Sequence, residues 1–169
     1  MDRRDQALHV NVKKALRRIA LVLLGIVVAA SFLTRPHRSE KADAQLLEGA
    51  NVPPRVRATL DKSCRDCHSE ATLYPWYSYV APVSWLIKSD VEEGREHLNF
   101  SKWNEYSVIR RERCLSEIAN QVQDGGMPPS IYTFMHREAK LSKADIDTIF
   151  KWTQEERARL IMERSGPSN

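Results

Sequence analysis

Cys64-Arg65-Asp66-Cys67-His68 is a C-x-x-C-H motif. Two thiols three positions apart can each add across a vinyl group of one haem. The histidine that follows is then set beneath the macrocycle, where its imidazole reaches an axial position on the iron. These residue types in this order read as a c-type haem attachment site. The expectation is one covalent haem c, with Cys64 and Cys67 as thioether attachment points and His68 as proximal ligand.

Downstream lies Gly125-Gly126-Met127-Pro128-Pro129. Glycines allow close backbone approach, and the prolines restrict the loop, so the thioether can be held at a fixed place. Met/His ligation is the arrangement in cytochromes c, which makes Met127 the expected distal ligand. A methionine filling a core gap is the competing reading. His136 is the alternative distal ligand, and His97 comes next. Two other chemistries use the same motif residues. A redox thiol pair favours a helix N-terminus, where the dipole lowers a thiol pKa. A zinc site would need Cys64 and Cys67 joined by two of His68, His97, Cys114 and His136. Cys114 itself is most simply a small buried hydrophobe.

The formal charge of +4 is local, because the first 18 residues hold six basic side chains against Asp2 and Asp5. The remainder has twenty of each sign. Nucleic-acid binding, which needs clustered cations, is not expected. Residues 1–18 form a basic n-region, and an apolar run, IALVLLGIVVAASFL, fills Ile19 to Leu33. Basic residues before such a run keep the N-terminus in the cytoplasm and send the rest across. Residues 19–34 therefore serve as a membrane anchor, with a cleaved signal peptide as the alternative. The first places a single-pass protein in a bacterial cytoplasmic membrane with its domain on the periplasmic side. The second releases the domain into the periplasm.

Residues 35–52 are polar and alanine-rich and read as a linker. Helices are expected at 54–63, at about 83–98, at 105–122 and from Ser142 onward, where Asp145 completes a capping box. Val108, Leu115, Ile118 and Val122 recur at helical spacing, as do Ile146, Ile149, Phe150 and Thr153. No segment alternates long enough to suggest a sheet. The fold class is thus all-α: a small cytochrome c-like helical domain at 53–160 around one haem, after an N-terminal transmembrane or signal helix. Residues 161–169 read as a polar tail. Trp76, Tyr77, Tyr79 and Trp85 either wall the haem, with a polar tip on a propionate, or fill the core. Arg95 is either a propionate partner or a solvated arginine.

Several blocks resemble, in order, the bacterial haem-binding domain family. They are Cys64-x-x-Cys67-His68, Tyr74-Pro75-Trp76-Tyr77-Ser78, Ala81-Pro82-Val83-Ser84-Trp85, Glu93-Gly94-Arg95, Leu98-Asn99-Phe100-Ser101 and Gly126-Met127-Pro128-Pro129. Tyr132, His136, Ala139-Lys140-Leu141-Ser142 and Trp152 continue the likeness, which covers about residues 53–155. The resemblance implies a single-haem, c-type protein with an N-terminal membrane segment, and no defined reaction. The expected role is one-electron transfer, not enzymatic turnover, with a redox partner protein and the haem-maturation machinery as partners. A haem-based gas or redox sensor with a displaceable distal ligand is the alternative. Peroxidase-like activity ranks last, since there is no second C-x-x-C-H.

Overall fold

The computed structural model describes residues 3–33 and 46–165. Most of the expected linker, Thr34 and residues 166–169 lie outside them. Seven α-helices are described: α1 (Arg3–Leu33), α2 (Pro54–Ser63), α3 (Arg65–His68), α4 (Val83–His97), α5 (Val108–Gln123), α6 (Ser130–Met135) and α7 (Lys143–Ser165). Short 3-10 turns stand at Trp76–Tyr79, Phe100–Glu105 and Arg137–Ala139. Among the described residues there is no strand, so the all-α expectation holds.

The chain forms two compact units, the smaller made of α1 with residues 74–89 and the larger of residues 46–73 and 90–165. In the smaller unit, α1 is longer than its apolar run. Val12–Phe32, 21 residues of mean hydropathy 2.0, is long and apolar enough to cross a membrane. At ~1.5 Å per residue such a span matches the ~30 Å hydrocarbon core of a bilayer. The basic n-region thus continues the helix and does not precede it. An uncleaved span and a signal sequence share this length and composition. In the same unit Ser31 Oγ accepts from the Ala81 backbone N–H at 3.0 Å. The Trp76–Tyr79 turn is closed by Ser78, whose N–H and hydroxyl both donate to Pro75 O. Trp76 is 78% exposed, and Tyr79 and Trp85 are exposed too, so a core role is excluded for all three.

The larger unit is built on α5 lying along α7, with α2 packed on α7. Leu115, Ile118 and Val122 of α5 meet Ile149, Trp152 and Leu160 of α7 in one buried cluster, which also takes in Val56, Leu60, Phe100 and Trp103. Each such side chain contributes about 1.5–3 kcal/mol on full burial. Cys114 belongs to this cluster, as its place on the inner face of α5 predicts. α5 starts three residues later than periodicity suggests, because Ser107 Oγ accepts from Arg110 N and caps it there. The stripe on α7 also runs further than expected, through Glu156 to Leu160, and the helix continues to Ser165 in place of a tail.

The start of the domain moves for a physical reason. Leu46 and Leu47 are buried in the core, so the domain starts within the expected linker. Trp152 Nε1 donates to Asn51 O at 2.9 Å, and Arg159 donates to Gly49 O at 3.1 Å. The buried Glu156 carboxylate accepts from Arg159 at 2.6 Å and from Asn51 N at 3.3 Å. These bonds clamp the entering chain to α7. At the other end of α7 the capping box forms as expected, with Asp145 N donating to Ser142 Oγ at 3.1 Å and Ser142 N to Asp145 Oδ2 at 3.0 Å.

Two substitutions test these packing arguments. A Cβ at Gly94 would sit 2.8 Å from the Cys67 carbonyl oxygen. Gly94→Ala gains ~1 kcal/mol of helix propensity but loses ~1–3 kcal/mol to overpacking against backbone. Net destabilisation is expected in urea unfolding, and a stabilised variant would show that α4 does not press on the motif. Ser142→Ala should cost ~1 kcal/mol by loss of the cap. The Ser142 N–H and hydroxyl hold the Asp145 carboxyl below its ordinary value of 3.8. Its contribution is therefore full above that value and is lost as pH falls through the lowered folded pKa. Asp145→Asn should be less stable than the parent at pH 7, with the gap closing in acid.

Candidate haem site

The motif occupies one helical turn. α2 ends at Ser63, and Cys64 breaks it with φ −128° and ψ −31°. Cys64 N still donates to Leu60 O, while His68 N donates to Cys64 O at 3.0 Å to close α3. Residues i, i+3 and i+4 share a helix face, so Cys64, Cys67 and His68 project together. The turn is then sealed. Ser69 Oγ donates to Arg65 O at 2.8 Å, and Thr72 Oγ1 donates to Asp66 O at 2.6 Å. Asp66 Oδ1 accepts from Leu73 N at 3.0 Å, and Glu70 N donates to Ser101 Oγ at 3.0 Å.

Arg95 has a role that the sequence did not suggest. Its Nε donates to Ser69 O at 2.8 Å and its Nη2 to Thr72 Oγ1 at 2.9 Å. It ties α4 to the segment that seals the motif. Its adjacency to Gly94, the close-contact glycine, was the available signal.

His68 Nδ1 lies 2.9 Å from Gly94 O and 3.0 Å from Leu98 O. Both partners accept, so Nδ1 carries the proton and donates, which leaves the Nε2 lone pair for a metal. Burial lowers the His68 pKa, against the opposing pull of the Leu98 and Gly94 carbonyls. Both results favour the neutral imidazole that ligation needs. The Phe100 ring stands 6.0 Å from the imidazole, tilted by 37°.

Burial pushes the Cys64 thiol up to about 12, reinforced by Cys67 and Asp61. Cys67 is raised to about 11, again chiefly by burial, with Asp66 and Asp90 adding to it. Redox-active pairs are lowered instead, so the thiol-exchange chemistry loses its support. Among the described residues no three His, Cys, Asp or Glu side chains gather to hold a metal ion. The zinc reading therefore lacks its ligand set.

Met127 follows the end of α5. Gly125 has φ +72°, and the N–H groups of Gly126 and Met127 both donate to Gln121 O, at 3.0 and 3.2 Å. At 36% exposed, Met127 is not a core filler. Beyond it comes α6, an unforeseen element; six residues are too few to establish a period. Ile131, Phe134 and Met135 of α6 are exposed apolar side chains. Tyr132 donates from its hydroxyl to Asp66 Oδ2 at 2.9 Å, which joins α6 to the motif turn. Burial and the Asp66 carboxylate raise the Tyr132 pKa. His136 stacks on Tyr132 at 4.5 Å between ring centroids, with Nδ1 3.4 Å from Glu138. Trp76 and Tyr77 belong to the smaller unit, their rings edge-to-face at 5.8 Å.

The donor set fits a haem. Two neutral thiols and an imidazole with Nε2 open lie on one turn, an exposed thioether follows α5, and α6 offers apolar side chains that a macrocycle can cover. A model of the haem-binding domain family matches residues 22–155. The chain is also similar to the cytochrome c peroxidase Ccp of Escherichia coli (strain K12), at 25% identity over 124 residues. That match takes in 72% of this chain but only 27% of the relative. No solved structure matches. On the family match, supported by the C-x-x-C-H turn it spans, the chain belongs to the haem-binding domain family.

Proposed function

We propose that this protein is a membrane-tethered, monohaem c-type cytochrome that carries single electrons outside the cytoplasmic membrane. One observation supports the reading above all. The C-x-x-C-H turn presents His68 with its Nδ1–H committed to two backbone carbonyls, as a ligating imidazole requires. Cys64 and Cys67 would hold the group covalently, and His68 and Met127 would be its iron ligands. Haem supplies one-electron chemistry, and the protein supplies burial, orientation and electronics.

The chain's residues do four things here. The backbone around Gly94 and Leu98 fixes the imidazole plane. Burial keeps His68 neutral and, before attachment, the thiols protonated. The sealing bonds of Ser69, Thr72 and Arg95 keep the turn from opening. Met127, as the second ligand, would keep small molecules from the iron, which suits a carrier. The peroxidase in the relative's name stays with that protein, of which this chain spans 27%.

In this reading α1 anchors the protein, residues 1–18 face the cytoplasm, and the domain from Leu46 to Ser165 stands on the periplasmic side. The haem-maturation machinery is then one partner. A redox protein docking over a small, transient face is another. The exposure of Met127 favours one second reading, a haem-based gas or redox sensor in which this ligand is displaced.

Expression with a haem-maturation system tests both. Haem staining after denaturing electrophoresis should mark the wild type and vanish in Cys64→Ser/Cys67→Ser; staining that persists would overturn covalent attachment. The ferric protein should show the far-red methionine–iron band, and Met127→Ala should abolish it and admit CO to the reduced form. Rapid CO binding by the wild type would favour the sensor.

A further inference from the structure

We infer that Tyr132 is the positioning residue that selects Met127 over His136 as the distal ligand. The inference rests on the Met127 reading above and deepens it. Met127 is held at two points. Upstream, its own N–H and that of Gly126 donate to Gln121 O at the end of α5. Downstream, the link is Tyr132, whose hydroxyl donates to Asp66 Oδ2 at 2.9 Å.

Only four residues separate Met127 from Tyr132, and they are stiff. Pro128 and Pro129 have fixed φ. Ser130 and Ile131 are already in α6, which Thr133 N closes by donating to Pro129 O at 3.0 Å. A displacement of Tyr132 is therefore passed along to Met127. Asp66 lies between the two cysteines, and its other oxygen accepts from Leu73 N. The methionine loop is thus referenced to the same turn that carries His68.

The second contact of Tyr132 acts on the competitor. Its ring stacks on His136 at 4.5 Å and 20°, while His136 N donates to Tyr132 O at 2.9 Å. One side chain therefore steadies the methionine loop and occupies the alternative imidazole. Hydroxyl and ring are separable by substitution.

The test uses the haem-loaded full chain. The wild type must first show the far-red methionine–iron band, absent in Met127→Ala; failure there sinks the Met127 reading itself, whatever Tyr132 does. Given the band, Tyr132→Phe keeps the ring and loses the hydrogen bond. Exogenous imidazole should then displace Met127 at a concentration about tenfold lower, the factor expected for one hydrogen bond to a carboxylate. Asp66→Ala should give a similar shift, with no further shift in the double variant. Tyr132→Ala should also lose the far-red band and lower the reduction potential as His136 takes the iron, and Tyr132→Ala/His136→Ala should not drop in this way. A purely structural role would lower the melting temperature of Tyr132→Phe and leave its imidazole midpoint unchanged, and that result would overturn the proposal. So would a Tyr132→Ala protein with an intact band.

Discussion

Everything around the motif depends on how closely the last turn of α4 approaches it. At Gly94 there is no room for even a methyl group above the Cys67 carbonyl. That contact brings two carbonyl oxygens of the helix end to His68 Nδ1. Leu98 O lies beyond the last intrahelical bond, Gly94 O accepts from Leu98 N at 2.9 Å as well, and both stand at the negative end of the helix dipole. An imidazole N–H pointed at them is held firmly and made more electron-rich, since acceptors on the far nitrogen raise ligand basicity. A stronger imidazole donor favours the oxidised metal, whereas a methionine opposite raises the potential. The proposed site would therefore balance two opposing levers, one in backbone and one in a side chain.

The same approach explains the density of polar bonds beside the motif. A one-turn helix leaves most of its carbonyls unpaired, and buried unpaired groups cost ~1–3 kcal/mol each. Ser69, Thr72 and Arg95 meet that demand locally, with hydroxyls and a guanidinium aimed at Arg65 O, Asp66 O and Ser69 O. Glu156 plays a comparable part on α7. Its buried carboxylate is tolerable because Arg159 and Asn51 satisfy it, and in return the entering chain is tied to α7.

Much of this was legible in the sequence, and the misses have physical causes. α2 was readable to the residue because Pro54 marks its start and the motif its end. The cap of α7 was readable from Ser142 and Asp145, since a capping box is a local pattern. The haem motif was legible because its chemistry demands residue types at fixed spacing. What failed was non-local or too short. Leu46 and Leu47 carry no period, and only the core shows that they belong to it. Glu156 carries no local sign of burial, and its distant partner Asn51 shows only in the fold. α6 spans too few residues to show a stripe, and Arg95 acts through bonds to a segment more than twenty positions away. Trp76 looked equally suited to a core or a cofactor wall, and its exposure removes only the first.

The two sides of the candidate site are built unequally, and the inequality has a direction. On the His68 side, two backbone carbonyls, a close-packed glycine and a sealed turn hold the ligand, so moving it means moving α4. On the Met127 side, the residue is exposed and is held through Gln121 O and, five positions on, through one phenol. Fewer bonds oppose its displacement, and none buries it. In the proposed site, exchange of ligand would therefore begin with Met127 and leave His68 in place. The two proposed roles, electron carrier and sensor, would then differ by how firmly one short loop is held, not by any difference in fold.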